Sequence, residues 1–277
     1  MAGALLGLLV SPAGPALRAD PDRVVRLRDA AGPDVPCIAV YREEDLPAAA
    51  RALVAAGCRA VGVDGDDHFV GAAAGALLAA VGPDERVPPI LHLHGGRMNA
   101  VARALELRRA PPQELVRVAR TLLSRPDELP VAVRSCLRVN GRSCFFGAAV
   151  SFIGFDAALE IEGTPLPVQR YRWLMWGTVA SPLGLDWVPL LFRAAEVPGA
   201  FHLVGDAGEP VAILRAAARV LRGRPVPREG YLSHLARRAT LRAARPVRFL
   251  LDGTMQEPTE LLALESGPPI AFLRAEP

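Results

Sequence analysis

VGVDGDDHFVG, residues 61–71, decides how this chain is read. Its first half is a β-branched run, its second half opens an alanine-rich stretch of helical composition, and Asp64, Gly65, Asp66 and Asp67 stand at the junction. A strand that turns straight into a helix is one half of a β-α-β unit. The same step recurs on either side, as LLGLLV then ADPDRVVRLRDAAG, PCIAVY then DLPAAARALVAAG, and PPILHL then NAVARALEL. The alternation predicts a doubly wound α/β domain built on a parallel sheet, because parallel strands need crossover helices between them.

Ligands of such sheets collect beyond the carboxyl ends of the strands. Three of those ends carry turn residues: SPAG at 11–14, DGDD at 64–67 and HGGRMN at 94–99. The Asp64 turn is open to three readings here, a phosphate loop, a metal site or a capped corner in which Asp66 or Asp67 is the N-cap of a helix starting near Phe69. In HGGRMN, Gly95 and Gly96 permit a tight turn and Asn99 can cap a helix whose free amides form an anion site. An ordinary strand-to-helix turn fits the same letters.

Composition bounds the rest. A chain of 277 residues, 51% of them hydrophobic, can bury a large core and lies between one big domain and two ordinary ones. Two are favoured by the change of texture after PPQELVRVARTLLSR, where Pro126 and Pro130 precede VAVRSCLRV and SCFFGAAVSFIG with Asn140 and Gly141 between them as a hairpin signal. The expected boundaries are 1–130 for the α/β domain and 131–277 for a second, largely antiparallel β domain, whose last strands are allowed to return to the first. A net charge of +3 and an aromatic content of 5% argue against a nucleic-acid partner. All 32 basic residues are arginine, so no lysine exists to bind phosphate, form a Schiff base or act as an ammonium catalyst. Four scattered cysteines without a CxxC pair suggest a reduced, cytoplasmic chain. The start, MAGALLGLLVSPAGPA, resembles a signal-peptide apolar region but has no basic residue ahead of it, and reads as the first strand. No run of about eighteen apolar residues is present, so membrane contact is expected to be peripheral.

The loops at 62–66 and 95–99, in this order and spacing, resemble those of the diacylglycerol kinase catalytic-domain family, which includes bacterial lipid kinases and sphingosine and ceramide kinases. The family's Asn-Pro-x-x-Gly type loop looks like LLVSPAG with Ser11 for Asn; its Gly-Gly-Asp-Gly-Thr loop matches Gly62, Val63, Asp64, Gly65 and Asp66. Its Gly-Gly-Thr-x-Asn loop and following Ala-Arg-x-Leu match Gly95, Gly96, Arg97, Met98 and Asn99, then Ala102, Arg103 and Leu105. FFGAAVSFIGFDA at 145–157 resembles the strand that opens the family's second domain, and FLLDGT at 249–254 its late Asp-Gly-Glu motif. The resemblance spans nearly the whole chain. It implies transfer of the γ-phosphoryl of ATP, with Mg²⁺, to a lipid hydroxyl such as that of diacylglycerol. On this footing Asp64 and Asp252 are the expected catalytic residues, Ser11, Gly62, Gly65, Asp66, Gly95, Gly96, Arg97 and Asn99 the nucleotide-binding ones, and Asp64 with Asp66 the metal ligands.

Beyond Ser11, four positions depart from the family pattern. Val63 replaces a glycine, Asp66 and Arg97 replace threonines, and Thr254 stands where many members carry a glutamate base. A threonine cannot serve as a base at neutral pH. Arg97 can replace hydroxyl contacts by a charge-assisted phosphate bond, whereas Asp66 adds negative charge beside phosphate. A weakened kinase and a non-catalytic lipid- or nucleotide-binding relative therefore stand side by side. NAD kinases share the Gly-Asp-Gly style of loop, but the apolar second domain and late Asp-Gly motif favour lipid.

Other features carry alternatives. His92 and His94, two apart on an expected strand, would share a face and with Asp64 or Asp66 suit a metal-dependent hydrolase. YRWLMWGTVASPLGLDWVPLL at 171–191 holds all three tryptophans and fits an acyl groove, a membrane interface or plain core. VAILRAAARVLRGRPVPR at 211–228 places Arg215, Arg219 and Arg222 at helical spacing, a face suited either to anionic lipid headgroups or to solvent. The partners expected are thus ATP, a lipid, an anionic membrane surface and a second copy of the chain.

Overall fold

Strands and helices alternate from Leu6 to Ser124 because short, mostly apolar runs are separated by turn residues and amphipathic stretches. The structure, a computed structural model, describes residues 6–82, 85–97, 99–125, 128–150, 154–178, 197, 199–207 and 231–275. The segment from 179 to 191, Trp187 included, and the arginine-rich stretch 211–228 lie outside the described residues. By its contacts the chain divides into one unit of Met1–Arg134 with Ile270–Pro277 and another of Ser135–Pro269.

In the first unit, β1 (Leu6–Val10), β2 (Cys37–Ala39), β3 (Ala60–Asp64) and β4 (Ile90–His92) run parallel in the order β2-β1-β3-β4. Phe272, near the end of the chain, pairs parallel with Ile90 and extends the sheet beyond β4. Every residue of β1 and β3 is buried, as expected for parallel strands covered on both faces. The helices are α1 (Pro15–Ala19) and α2 (Arg23–Ala31) after β1, α3 (Leu46–Ala55) after β2, α4 (Asp67–Ala80) after β3, and α5 (Ala100–Ala104) and α6 (Pro111–Ser124) after β4. Right-handed crossovers send the β1-to-β2 helices to one face and those of β2-to-β3 and β3-to-β4 to the other. The packing agrees: α2 lies on α6, and α3 on α4. This is the doubly wound arrangement the alternation predicts. The chain reverses its direction of travel between β1 and β3, and that switch point fixes where loops splay apart to admit a ligand.

Two elements are shorter than the sequence suggests. The helix expected over NAVARALEL stops at Ala104, because Glu106 takes a left-handed φ of 58° and the Glu106 and Leu107 amides return to the carbonyls of Arg103 and Ala102. Strand β4 ends at His92, and His94 turns out of extended geometry at φ 54°. The alternation argument that put His92 and His94 on one strand face therefore fails.

The second unit is antiparallel throughout its registered pairs. It comprises β5 (Val131–Val139, its first residues in the other unit), β6 (Arg142–Phe145), β7 (Gly147–Val150), β8 (Phe155–Ile161), β9 (Thr164–Pro165), β10 (Gln169–Tyr171), β11 (Trp173–Gly177), β12 (Phe201–Asp206), β13 (Tyr231–Ala236), β14 (Arg238–Leu251) and β15 (Thr254–Leu273, ending in the first unit). The main path is β13-β12-β11-β7-β14-β15, and β8 pairs the other end of β14. Strand β8 alternates cleanly, with Phe155, Ala157, Leu159 and Ile161 turned into a core that includes Tyr171, Trp176 and Phe201. Trp176 is thus core, the plain reading of its segment.

Three hairpins in this unit use the same device. Asn140-Gly141, Glu162-Gly163 and Asp252-Gly253 each place two consecutive residues at positive φ between paired strand ends, the requirement of a two-residue turn matched to strand twist. The hairpin predicted at Asn140-Gly141 is present.

The chain's last strand completes the first unit's sheet, and Phe272 is fully buried there. Phe272→Ala is expected to destabilise that unit by about 3–5 kcal/mol. Hydrogen exchange will read this as lost protection of β3 and β4 amides.

Candidate functional site

The loops after β1, β3 and β4 meet within the first unit. The Ser11 amide donates to the Asp64 carbonyl at 2.8 Å and the Ala16 amide to the Gly95 carbonyl at 3.2 Å, so the first loop touches both others. A Cβ on Gly95 would lie 2.4 Å from the Gly65 nitrogen, and one on Gly96 2.7 Å from Asp66 Cα. Glycine is required at both positions because two backbones cross in contact. Gly62 meets a different need: its missing side chain leaves room for Leu8, Leu93 and Leu115 in the core. Gly65 makes room for the Phe69 ring. All four glycines thus have a packing reason that involves no ligand.

The acids of the Asp64 turn are each held. Asp64, 1% exposed, receives Arg23 Nε at 3.2 and 3.0 Å on its two oxygens and Nη2 at 2.7 Å on one. The same Nη2 donates to the Leu93 carbonyl at 2.5 Å, so one guanidinium ties the start of α2 to the ends of two strands. Asp66 is the N-cap of α4, its Oδ1 accepting the Phe69 amide at 2.9 Å. Asp67 reaches further: its carboxylate accepts the Ala100 amide at 2.8 Å and the Val101 amide at 3.0 Å. The first amides of α5, expected to be free for an anion, are therefore filled by an aspartate of this chain.

Asn99 does not cap α5 with its side chain. It sits at φ 49°, and its amide group folds back, accepting from the Gly96 amide at 3.0 Å and donating to the Gly96 carbonyl at 2.9 Å. Asparagine tolerates that left-handed backbone better than most residues. Arg97 is exposed on the same loop, and Ser11 is half-buried.

His92 Nε2 lies 3.2 Å from the Gly65 carbonyl oxygen, and its Nδ1 is 3.8 Å from Asp67 Oδ1. His94 meets the His92 ring edge-on at 6.1 Å. Burial, then the neighbouring His92 and Arg23, lower the His94 pKa to about 4, which keeps the ring neutral. Among the described residues no group of three His, Cys, Asp or Glu could hold a metal ion. Burial also pushes the Cys37 thiol up, and it supplies no ready thiolate.

Asp252 belongs to the second unit. It is the first residue of the β14–β15 turn, and its carboxylate accepts the Phe146 amide at 3.0 and 3.1 Å and the Gly147 amide at 2.7 Å. Glu162, at the β8–β9 turn, likewise captures the Arg237 and Arg238 amides. The late Asp-Gly pair is thus also a turn whose acid secures a bend between two other strands.

Arg23 and the long reach of Asp67 were not foreseen. No motif marks Arg23, although a buried carboxylate in a chain without lysine requires an arginine or histidine partner. Among the described residues no helix is long and apolar enough to cross a membrane.

No known family profile matches the sequence, and no curated protein matches it. Solved structures do match the fold. The "crystal structure of a putative diacylglycerol kinase from Bacillus anthracis str. Sterne" superposes with a TM-score of 0.74 at 13% identity, over 99% of this chain and 98% of that one. A diacylglycerol kinase from the same organism gives 0.71 at 13% identity and the same coverage. An NAD kinase from Archaeoglobus fulgidus in complex with ATP gives 0.53 at 14% identity, over 98% of this chain and 94% of that one. At such identities the likeness establishes the fold, a parallel α/β domain joined to an antiparallel one, shared with kinases along its whole length.

Two outcomes follow from the geometry. Arg23→Gln strands a buried carboxylate and is expected to cost about 3–5 kcal/mol, most of it restored in Arg23→Gln/Asp64→Asn, as a double-mutant cycle in urea will measure. His94 is depressed in the folded state, so the unfolded chain takes up its proton first as pH falls. Stability tied to that ring is whole above the ordinary histidine value near 6.5 and is lost as pH drops to about 4. His94→Gln should flatten that part of the stability-against-pH curve.

Proposed function

We propose that this chain is an ATP-dependent lipid kinase, transferring phosphate to a lipid hydroxyl such as that of diacylglycerol. The observation that carries the reading is the meeting of three loops at the switch point of a parallel sheet, with the Asp64 carboxylate at the end of β3 among them. A fold shared with a diacylglycerol kinase and with an NAD kinase solved in complex with ATP supports it.

On this reading Arg97, exposed and charged, engages the phosphates, and the loops around Ser11, Gly65, Gly95 and Gly96 shape their seat. Asp64 accepts the proton of the attacking hydroxyl. It can do so only after Arg23 leaves it, and an incoming phosphate is the group able to compete for that guanidinium. Asp64 is engaged by Arg23 and one Asp66 oxygen by the Phe69 amide, so a magnesium ion, like the proton transfer, would reach Asp64 only after Arg23 leaves. Magnesium normally takes one or two carboxylates together with substrate phosphates, so it belongs with the triphosphate.

A second reading, a non-catalytic binding module, is favoured by a specific observation. Asp67 and Asn99 already satisfy the Ala100, Val101 and Gly96 amides, which are the donors a phosphate would use at the Gly-Gly loop.

Labelled ATP with Mg²⁺ and mixed diacylglycerol micelles separates the two. Label is expected in lipid, falling about 10²–10⁴-fold in Asp64→Asn if the carboxylate is the base. Absence of both label and ATP binding by calorimetry sinks the kinase reading and leaves the module, the outcome the filled loop amides favour.

A further inference from the structure

Away from the three-loop corner, α6 carries a groove of about 480 Å³ lined by Arg109, Gln113, Val116, Arg117, Arg120 and Thr121. Gln113, Arg117 and Arg120 recur at helical spacing on one face, and Arg109 joins them from the residues just before the helix. No carboxylate is among the described residues that line it.

The three guanidiniums are not equivalent. Arg117 is fixed from below: its Nε donates to Glu114 at 2.8 Å, where the glutamate side chain is 4% exposed, and its Nη2 donates to the Arg274 carbonyl at 3.3 Å. Thr121 donates its hydroxyl to the Arg117 carbonyl. Arg109 and Arg120 are exposed and form no ion pair among the described residues, unlike Arg26 with Asp20 or Arg125 with Glu128. Among the described residues, the charges of Arg109 and Arg120 are therefore offset by no carboxylate. A concave, positively charged surface concentrates anions, and guanidinium forks match phosphate oxygens two at a time.

We propose that this groove is a second binding site, for a phosphate-bearing anion of the kind shared by free phosphate esters and anionic lipid headgroups. The site rests on α6 and the residues just before it, and holds whether or not the three-loop corner transfers phosphate. Val116, 41% exposed, and Leu123, 74% exposed, lie on the same helix and give the lipid source its own signature, since apolar side chains beside arginines suit the boundary between headgroups and acyl chains.

The full chain is to be tested with two probes, inorganic pyrophosphate by calorimetry and sedimentation with vesicles of phosphatidylcholine, with or without phosphatidylglycerol. The wild type is expected to bind pyrophosphate, phosphatidylglycerol vesicles or both, and to ignore pure phosphatidylcholine. Arg109→Gln/Arg120→Gln should weaken that binding about tenfold or more, while Arg125→Gln, outside the groove, leaves it unchanged. Circular dichroism melting will verify that the variants fold, and Arg109→Lys/Arg120→Lys should retain part of the binding. Pyrophosphate binding without vesicle binding identifies a free phosphate source. Vesicle binding that weakens in Leu123→Asp identifies headgroups. Binding of neither probe, or equal binding by wild type and the paired glutamine variant, overturns the proposal. Label transfer from ATP is read separately, so failure here leaves the kinase reading standing.

Discussion

The contact between Arg23 and Asp64 is the constraint around which the first unit is organised. Asp64 ends β3 and Arg23 starts α2, while the Leu93 carbonyl, bound by the same guanidinium, lies just past β4. A carboxylate at 1% exposure survives only because a cation meets both of its oxygens. The guanidinium in turn fixes how closely α2 approaches the carboxyl edge of the sheet. Ser11, bonded to the Asp64 carbonyl, brings the β1 loop to the same point. Any chemistry at this corner has to begin by rearranging that pair.

Much of the fold could be read from the letters, because burial and connectivity write themselves into periodicity. Apolar runs such as LGLLV and AVGVD can only be buried strands when amphipathic helices separate them. Asn140-Gly141 announced a hairpin because few other residues accept two successive positive φ values. What could not be read was long-range polar pairing. Arg23 and Asp64 are far apart in sequence, and Asp67 meets Ala100 across two loops. Those contacts depend on the distance between elements, which no spacing within one segment encodes. The histidine argument failed for the opposite reason, since it relied on strand geometry that stops at His92.

Acidic side chains do a common job throughout this protein. Asp66 holds the amide of Phe69, Asp67 those of Ala100 and Val101, Asp252 those of Phe146 and Gly147, and Glu162 those of Arg237 and Arg238. Each closes a turn or helix start whose backbone donors would otherwise face water or lie unsatisfied. Motif letters that look catalytic in isolation, Asp-Gly-Asp-Asp and Asp-Gly-Thr, therefore also have complete structural explanations.

That does not empty the corner of chemistry, because a carboxylate on backbone amides is itself a stand-in for an anionic ligand. Phosphate approaching the Gly-Gly loop has to displace Asp67 or Asn99, and the freed carboxylate then needs a new cation. His92 lies 3.8 Å from Asp67, Arg97 is exposed on the same loop, and Arg23 already bonds Asp64. Ligand binding here is thus an exchange of one set of anion contacts for another, and its free energy is the difference between them. An arginine at residue 97 raises the attraction for phosphate, while aspartates at 66 and 67 raise the cost of bringing it in. Which term is larger separates an enzyme from a binding module, and the balance depends on charge at four side chains rather than on the fold that carries them.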